Sequence, residues 1–173
     1  MHKKLHIDTE RFVLFSGSFT NEVKNATLAK QAMAKVNDTE LVELQGYSRE
    51  EVNLLMNAAD CLLMTSHREG SPQVVKEAMA CGTPIVSVDV GDVKDVISGT
   101  EGCYIAERNP DDIADKIQQA LAFKGKTNGR QRIIDLGLSN DLVAKRLVGI
   151  YQQVLNIRKS GNSTRSNIKG FEP

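Results

Sequence analysis

The chain has 173 residues, 40% of them hydrophobic and 25% charged, enough for one globular domain with a sizeable core. Its 22 Lys and Arg balance 22 Asp and Glu and aromatics make up 5%, so the basic footprint and stacking platforms of a nucleic-acid binder are absent. The longest apolar run near the N-terminus, Phe12 to Phe15, is too short for a signal peptide or a membrane span, and a cytoplasmic protein is expected.

After a lead-in over residues 1–10, short apolar runs alternate with helical patterns. Phe12 to Ser16 reads as the first strand, and Gly17, Ser18 and the polar turn to Asn25 follow it as a phosphate loop would, although the spacing fits neither a GxGxxG fingerprint nor a Walker loop. Asn25 to Val36 puts Leu28, Ala29, Ala32 and Val36 on one helical stripe, and Leu41 to Gln45 is the second strand. Ser48, with Glu51 three positions on, opens a helix to Ala58 through a capping box. Cys61 to Thr65 is the third strand. Ser71 as N-cap and Pro72 at the first helical position start a helix running through Ala80 and ending at Gly82. Pro84 to Val88 and Cys103 to Ile105 complete the strands, and Pro110 to Phe123 and Asp141 to Ile157 are further amphipathic helices. From Lys159 the sequence turns to Ser, Gly, Asn and charge, which predicts a flexible tail over 159–173. The alternation predicts a Rossmann-like three-layer α/β/α sandwich with a mainly parallel sheet over 11–158, binding its ligand beyond the carboxyl ends of the strands. Cys61, Cys81 and Cys103 are odd in number and lie in apolar surroundings, as reduced core thiols do, and the sequons at Asn25, Asn37 and Asn162 carry no meaning without a secretory route.

The densest segment is Arg68 to Val86, REGSPQVVKEAMACGTPIV. It sets two carboxylates, Glu69 and Glu77, at either end of a loop that becomes a helix. At helical rise their eight positions span roughly 12 Å, too far to share a proton or a small metal ion and suited to bracketing an elongated ligand. The free N–H groups of the first turn form an anion site between them. Singly, Lys24 and Glu77 read as solvated helix residues, His67 as a polar loop residue, and Glu69 as half of a local ion pair with Arg68 or His67.

The run EGSPQVVKEAMACGTPIVSVDVGDVKDVI resembles the donor-site signature of glycosyltransferase family 4, the retaining sugar transferases of two-domain GT-B fold. In that pattern a Glu, seven residues and a second Glu lead into Ala-Met-Ala-x-Gly-x-Pro. Here Glu69, Glu77, Ala78, Met79, Ala80, Gly82 and Pro84 fill those places. GSFTNEVKNATLAKQA, LQGYSREEVNLLMNAADCLLMTS and NPDDIADKIQQAL stand at family-like spacing, so the likeness extends from Arg11 to Phe123. It implies that Glu77 accepts hydrogen bonds from the ribose hydroxyls and that Glu69 holds the transferred sugar. It also implies that Lys24, with the backbone from Gly70 through Ser71, Pro72 and Gln73 to Val74, binds the diphosphate and stabilises it as it leaves. Gly46 and Tyr47 fall where the family contacts the base. Ser18 stands where many members carry an Arg, and Arg68 is the candidate replacement.

The resemblance further implies the C-terminal half of a bacterial polysaccharide-building enzyme, with a UDP- or GDP-linked sugar as donor and neither cofactor nor metal. The acceptor-binding N-terminal domain is missing upstream of Arg11, so donor binding without transfer is expected of this polypeptide alone. Any membrane contact, at the inner face, comes through the full enzyme. A nucleotide-sugar epimerase half and a non-catalytic nucleotide-sugar-binding subunit stay open as alternatives.

Overall fold

The computed structural model describes residues 10–166, with side chains through Asn156. Residues 1–9 of the expected lead-in and 167–173 of the expected tail lie outside the described residues. Five strands, β1 (Phe12–Phe15), β2 (Glu40–Glu43), β3 (Cys61–Met64), β4 (Ile85–Val88) and β5 (Cys103–Ala106), form one parallel sheet in the order β2-β1-β3-β4-β5. Val13 stands between Leu41 and Cys61, and Ile85 between Leu62 and Cys103. The inner strands FVLF, CLLM and IVSV are buried at every position, whereas ELVE and CYIA at the two edges are mostly half-buried. A parallel sheet is covered on both faces, which is why its central strands read as continuous apolar runs rather than alternating ones.

The helices are α1 (Ala26–Met33), α2 (Arg49–Ala58), α3 (Gln73–Cys81), α4 (Val93–Ile97), α5 (Pro110–Ala122) and α6 (Gly129–Asp135). From β1 the chain steps outward to β2 and then returns past β1 to β3, β4 and β5. Right-handed crossovers therefore place α1 on one face and α2, α3 and α4 on the other. The packing agrees: α1 lies against α5, which covers β3, β4 and β5, while α3 packs on α2, α4 and α6. The Rossmann-like α/β architecture is as expected. The short α4 and α6 were not, and neither was the 3-10 turn Glu22–Lys24 before α1.

Local chemistry explains the boundaries. The capping box at α2 is complete: Ser48 Oγ accepts from Glu51 N at 3.2 Å and Glu51 Oε2 accepts from Ser48 N at 2.7 Å. Such a cap contributes about 1 kcal/mol. Asn109 caps α5 through Asp111 N, with Pro110 as first helical residue. Asn25, left-handed at φ 53°, closes the 3-10 turn and caps α1 at once. Gly82 ends α3 at φ 69°, as expected of a left-handed cap.

The chain divides into two compact units, the first ending at Leu136 and the second beginning at Gly137. The second holds one helix, α7 (Asn140–Ser166), whose backbone carries on past the expected end at Ile157 and through the first part of the expected tail.

All three cysteines are free thiols. Burial pushes the Cys61 thiol far above its ordinary range and Cys103 up to about 12. Cys81 is also raised by desolvation, but it is only half-buried. Iodoacetamide at about pH 8 should therefore alkylate Cys81 first and the likewise half-buried Cys103 more slowly, and reach fully buried Cys61 only after unfolding. Peptide mass spectrometry showing Cys61 labelled as fast as Cys81 would contradict this packing. Because the folded thiols titrate above the unfolded ones, their contribution to stability is complete below the ordinary thiol range. It is lost as the pH rises through that range towards the folded values.

Candidate functional site

The strand order reverses direction between β1 and β3, and in open parallel sheets that is where a crevice forms at the carboxyl ends. Two loops meet there. The first runs from Ser16 to Asn25. Gly17 admits the Lys24 side chain: a Cβ at this position would stand 3.0–3.3 Å from three carbons of its stem. Ser18 Oγ shares a hydrogen bond with Thr20 Oγ1 at 2.9 Å and donates to Glu43 Oε2 at 3.4 Å, and Glu43 also takes Phe19 N at 2.8 Å. The Phe19 ring lies 5.3 Å from that of Phe15, with Lys30 Nζ 4.5 Å above it. Ser18 is thereby part of the loop's own scaffold.

The second loop, after β3, is fastened to the first through its backbone. Thr65 Oγ1, buried, lies 2.9 Å from the carbonyl oxygens of both Lys24 and Asn25, and His67 N donates to Val23 O at 2.9 Å. From the β5 side the Arg108 guanidinium donates to Ser66 O at 2.9 Å and His67 O at 3.4 Å. Between these anchors Glu69 Oε1 meets Lys24 Nζ at 2.7 Å, the two side chains 16% and 20% exposed. Glu69 is thus paired, but with a lysine 45 positions upstream, not with Arg68 or His67 as local ion pairing would have it. Arg68 is exposed and, among the described residues, makes no hydrogen bond or ion pair.

The start of α3 differs from the expectation in one respect. Pro72, with ψ 120°, is the N-cap and Gln73 the first helical residue, and no side chain caps the helix. Ser71 sits one position too far out, and its hydroxyl is engaged elsewhere: it donates to Asp92 Oδ2 at 2.5 Å and accepts from Lys76 Nζ. The first amides of α3, beginning with Gln73 and Val74, carry no side-chain acceptor and are available to a ligand. Glu77, one helical turn on, is exposed and held by no hydrogen bond or ion pair among the described residues. Gly46, at φ 78° and exposed, and half-buried Tyr47 lie on the neighbouring loop between β2 and α2.

The site therefore brings Lys24, Glu69, Gly70 and the α3 amides to one crevice. Several of its supports were missed from sequence. Thr65 and Arg108 carry no local signal, since each acts on backbone about 40 positions away. Asp92, in the turn after β4, was discernible only as the second residue of a Gly-Asp pair. A cavity of about 610 Å³ bordered by Arg11, Val36, Gln118 and Lys124 shares no residue with this cluster and opens near the start of β1. Among the described residues no group of three His, Cys, Asp or Glu is placed to hold a metal ion, and no helix is long and apolar enough to cross a membrane.

The sequence profile of the family described as glycosyl transferases group 1 matches residues 12–122, from the first residue of β1 to the last of α5. The chain belongs to this family. Within the group 1 glycosyltransferases it is similar to D-inositol 3-phosphate glycosyltransferase of Mycolicibacterium gilvum, with 32% identity over 50% of the chain and 20% of the relative. It is also similar to N,N'-diacetylbacillosaminyl-diphospho-undecaprenol alpha-1,3-N-acetylgalactosaminyltransferase of Campylobacter jejuni, with 29% identity over 62% of the chain and 30% of the relative. Among solved structures, sucrose-phosphate synthase from Thermosynechococcus elongatus superimposes with a TM-score of 0.74 at 20% identity, over 86% of this chain and 46% of the synthase. S. aureus TarM, crystallised in complex with UDP, superimposes with a TM-score of 0.60 at 20% identity, over 85% of this chain and 36% of TarM. The matches thus take in less than half of each of these proteins.

Proposed function

We propose that this chain is the donor half of a retaining GT-B glycosyltransferase that moves a sugar from a nucleotide diphosphate to an acceptor hydroxyl. The observation that carries the proposal is the Lys24–Glu69 pair beside the uncapped start of α3 at the sheet's reversal point. In this reading Glu69 binds hydroxyls of the sugar, and exposed Glu77 accepts from the vicinal hydroxyls of the ribose. Lys24 and the amides from Gly70 to Val74 receive the diphosphate. As the bond between the anomeric carbon and the diphosphate oxygen breaks and that to the acceptor oxygen forms, the proton of the acceptor hydroxyl passes to the departing diphosphate oxygen, and these same groups neutralise the charge that remains on the diphosphate. No metal is assigned a part, because a cation and helix amides already face the leaving group. The acceptor binds on a second domain that closes over the crevice, so this chain alone binds donor without turnover.

UDP, which accompanies TarM in its crystals, is the first nucleotide to test, with GDP the second. The C. jejuni relative, named for a substrate on an undecaprenol diphosphate carrier, favours a role in bacterial polysaccharide synthesis at the inner face of the membrane. Calorimetric titration with UDP, GDP and their sugar conjugates tests the donor site. One nucleotide should bind, and Glu77→Ala should weaken it about tenfold, as expected for the loss of hydrogen bonds to a charged acceptor. If neither nucleotide binds, the donor-site reading fails.

A further inference from the structure

The turn that leads into α3 is held on one side by the Lys24 loop and on the other by the loop between β4 and α4. The second contact is concentrated on one residue. Asp92 N donates to Gly70 O at 3.1 Å, Asp92 Oδ2 accepts from the Ser71 hydroxyl at 2.5 Å, and the same oxygen lies 3.8 Å from Lys76 Nζ, which in turn donates to Ser71 Oγ. Lys76 is only 13% exposed, and its ammonium is drawn back beside the first turn of α3, where the helix dipole disfavours a cation. The Asp92 carboxylate supplies the charge that makes this placement stable. Next to it, Gly91 has φ 58° and no room for a Cβ against the Gly70 carbonyl, so the two loops touch backbone to backbone.

We propose that Asp92 is a positioning residue of the diphosphate subsite. By gripping Gly70 through its backbone and Ser71 through its carboxylate, it sets the direction in which the amides of Gln73 and Val74 face the phosphate. It also keeps the Ser71 hydroxyl from folding over those amides as an internal cap. The inference rests on the donor-site reading above and adds a residue to which nothing in the family resemblance assigns a role.

The test compares a nucleoside diphosphate with its nucleoside. UDP and uridine, or GDP and guanosine where the wild-type chain prefers GDP, are titrated calorimetrically into the wild type, Asp92→Ala and Asp92→Asn. A carboxylate that is merely near a phosphate repels it, so its removal would tighten UDP binding; the loss of a positioning group weakens it. Asp92→Ala should weaken UDP about tenfold and uridine by less than about twofold, and Asp92→Asn, which keeps an acceptor for Ser71, should recover much of the loss. UDP binding unchanged or tighter in Asp92→Ala, or UDP and uridine weakened alike, would overturn the inference. Should the alanine variant fail to fold, Asp92→Ser, whose shorter side chain falls short of the Ser71 hydroxyl, takes its place under the same criteria. A wild type that binds neither nucleotide refutes the donor site itself, and the inference falls with it.

Discussion

Exchanging Lys24 for alanine should lower the affinity of this chain for its nucleotide diphosphate roughly ten- to hundredfold, the range set by losing a charge-assisted hydrogen bond of about 1.5–3 kcal/mol. The complementary change should act in the opposite direction. In the unliganded crevice the Lys24 ammonium is bound to Glu69 at 2.7 Å, so an arriving phosphate has to compete with a carboxylate for the same cation. Glu69→Ala removes the competitor: UDP without a sugar should bind a few-fold more tightly, while the preference for the sugar conjugate over bare UDP disappears. Stability should respond less than binding, because both side chains reach solvent and the group left behind regains water. Calorimetry on the two single variants and the double variant decides the matter. If Glu69→Ala and Lys24→Ala both weaken bare UDP equally, the resting pair is not a competitor, and the division of labour between the two residues is wrong.

A second large effect is expected at Gly91. Its φ of 58° is in the left-handed region, and a Cβ there would press into the Gly70 carbonyl and the Glu69 carbonyl behind it. Alanine in that conformation costs about 1–2 kcal/mol by itself. The obstruction is backbone on both sides, with no side-chain end to swing away, so the total for Gly91→Ala should reach roughly 3 kcal/mol, or a fall in Tm on the order of 10 °C for a domain of this size. The displaced Gly70 should take the diphosphate affinity with it. A melting temperature within about 2 °C of the wild type would mean that the two loops separate more easily than their geometry implies.

Much of the fold was legible because each element advertises itself locally. FVLF and CLLM are apolar at every position and IVSV at all but Ser87, and Ser48 with Glu51 encodes its own cap. The missed elements lack such marks: α4 has five residues, and GRQRIID in α6 carries almost no apolar periodicity. Gly129, at the start of α6, is a packing contact with Met79, whose carbonyl oxygen would lie 2.8 Å from an added Cβ; only the three-dimensional arrangement shows this. Ser71 illustrates the limit in the site. Its type and place suit a helix cap, but the hydroxyl follows a carboxylate 21 positions away, and no local pattern registers that competitor. The meeting of Lys24 with Glu69 is likewise a consequence of β1 lying beside β3, a property of strand order rather than of either motif.

That strand order also bears on how the chain comes together. β1 is sandwiched between β2 and β3, and its partner in β3 lies 48 positions later, Val13 opposite Cys61. During synthesis β1 can pair with β2 early, but its other hydrogen-bonding edge, wholly apolar on both faces, stays unmatched until β3 has emerged. The Lys24 loop has no Thr65 hydroxyl to hold its carbonyls until then. Docking of β3 therefore closes the edge of β1 and fastens the Lys24 loop in one step, and a nascent chain halted short of residue 61 presents an open edge to its neighbours.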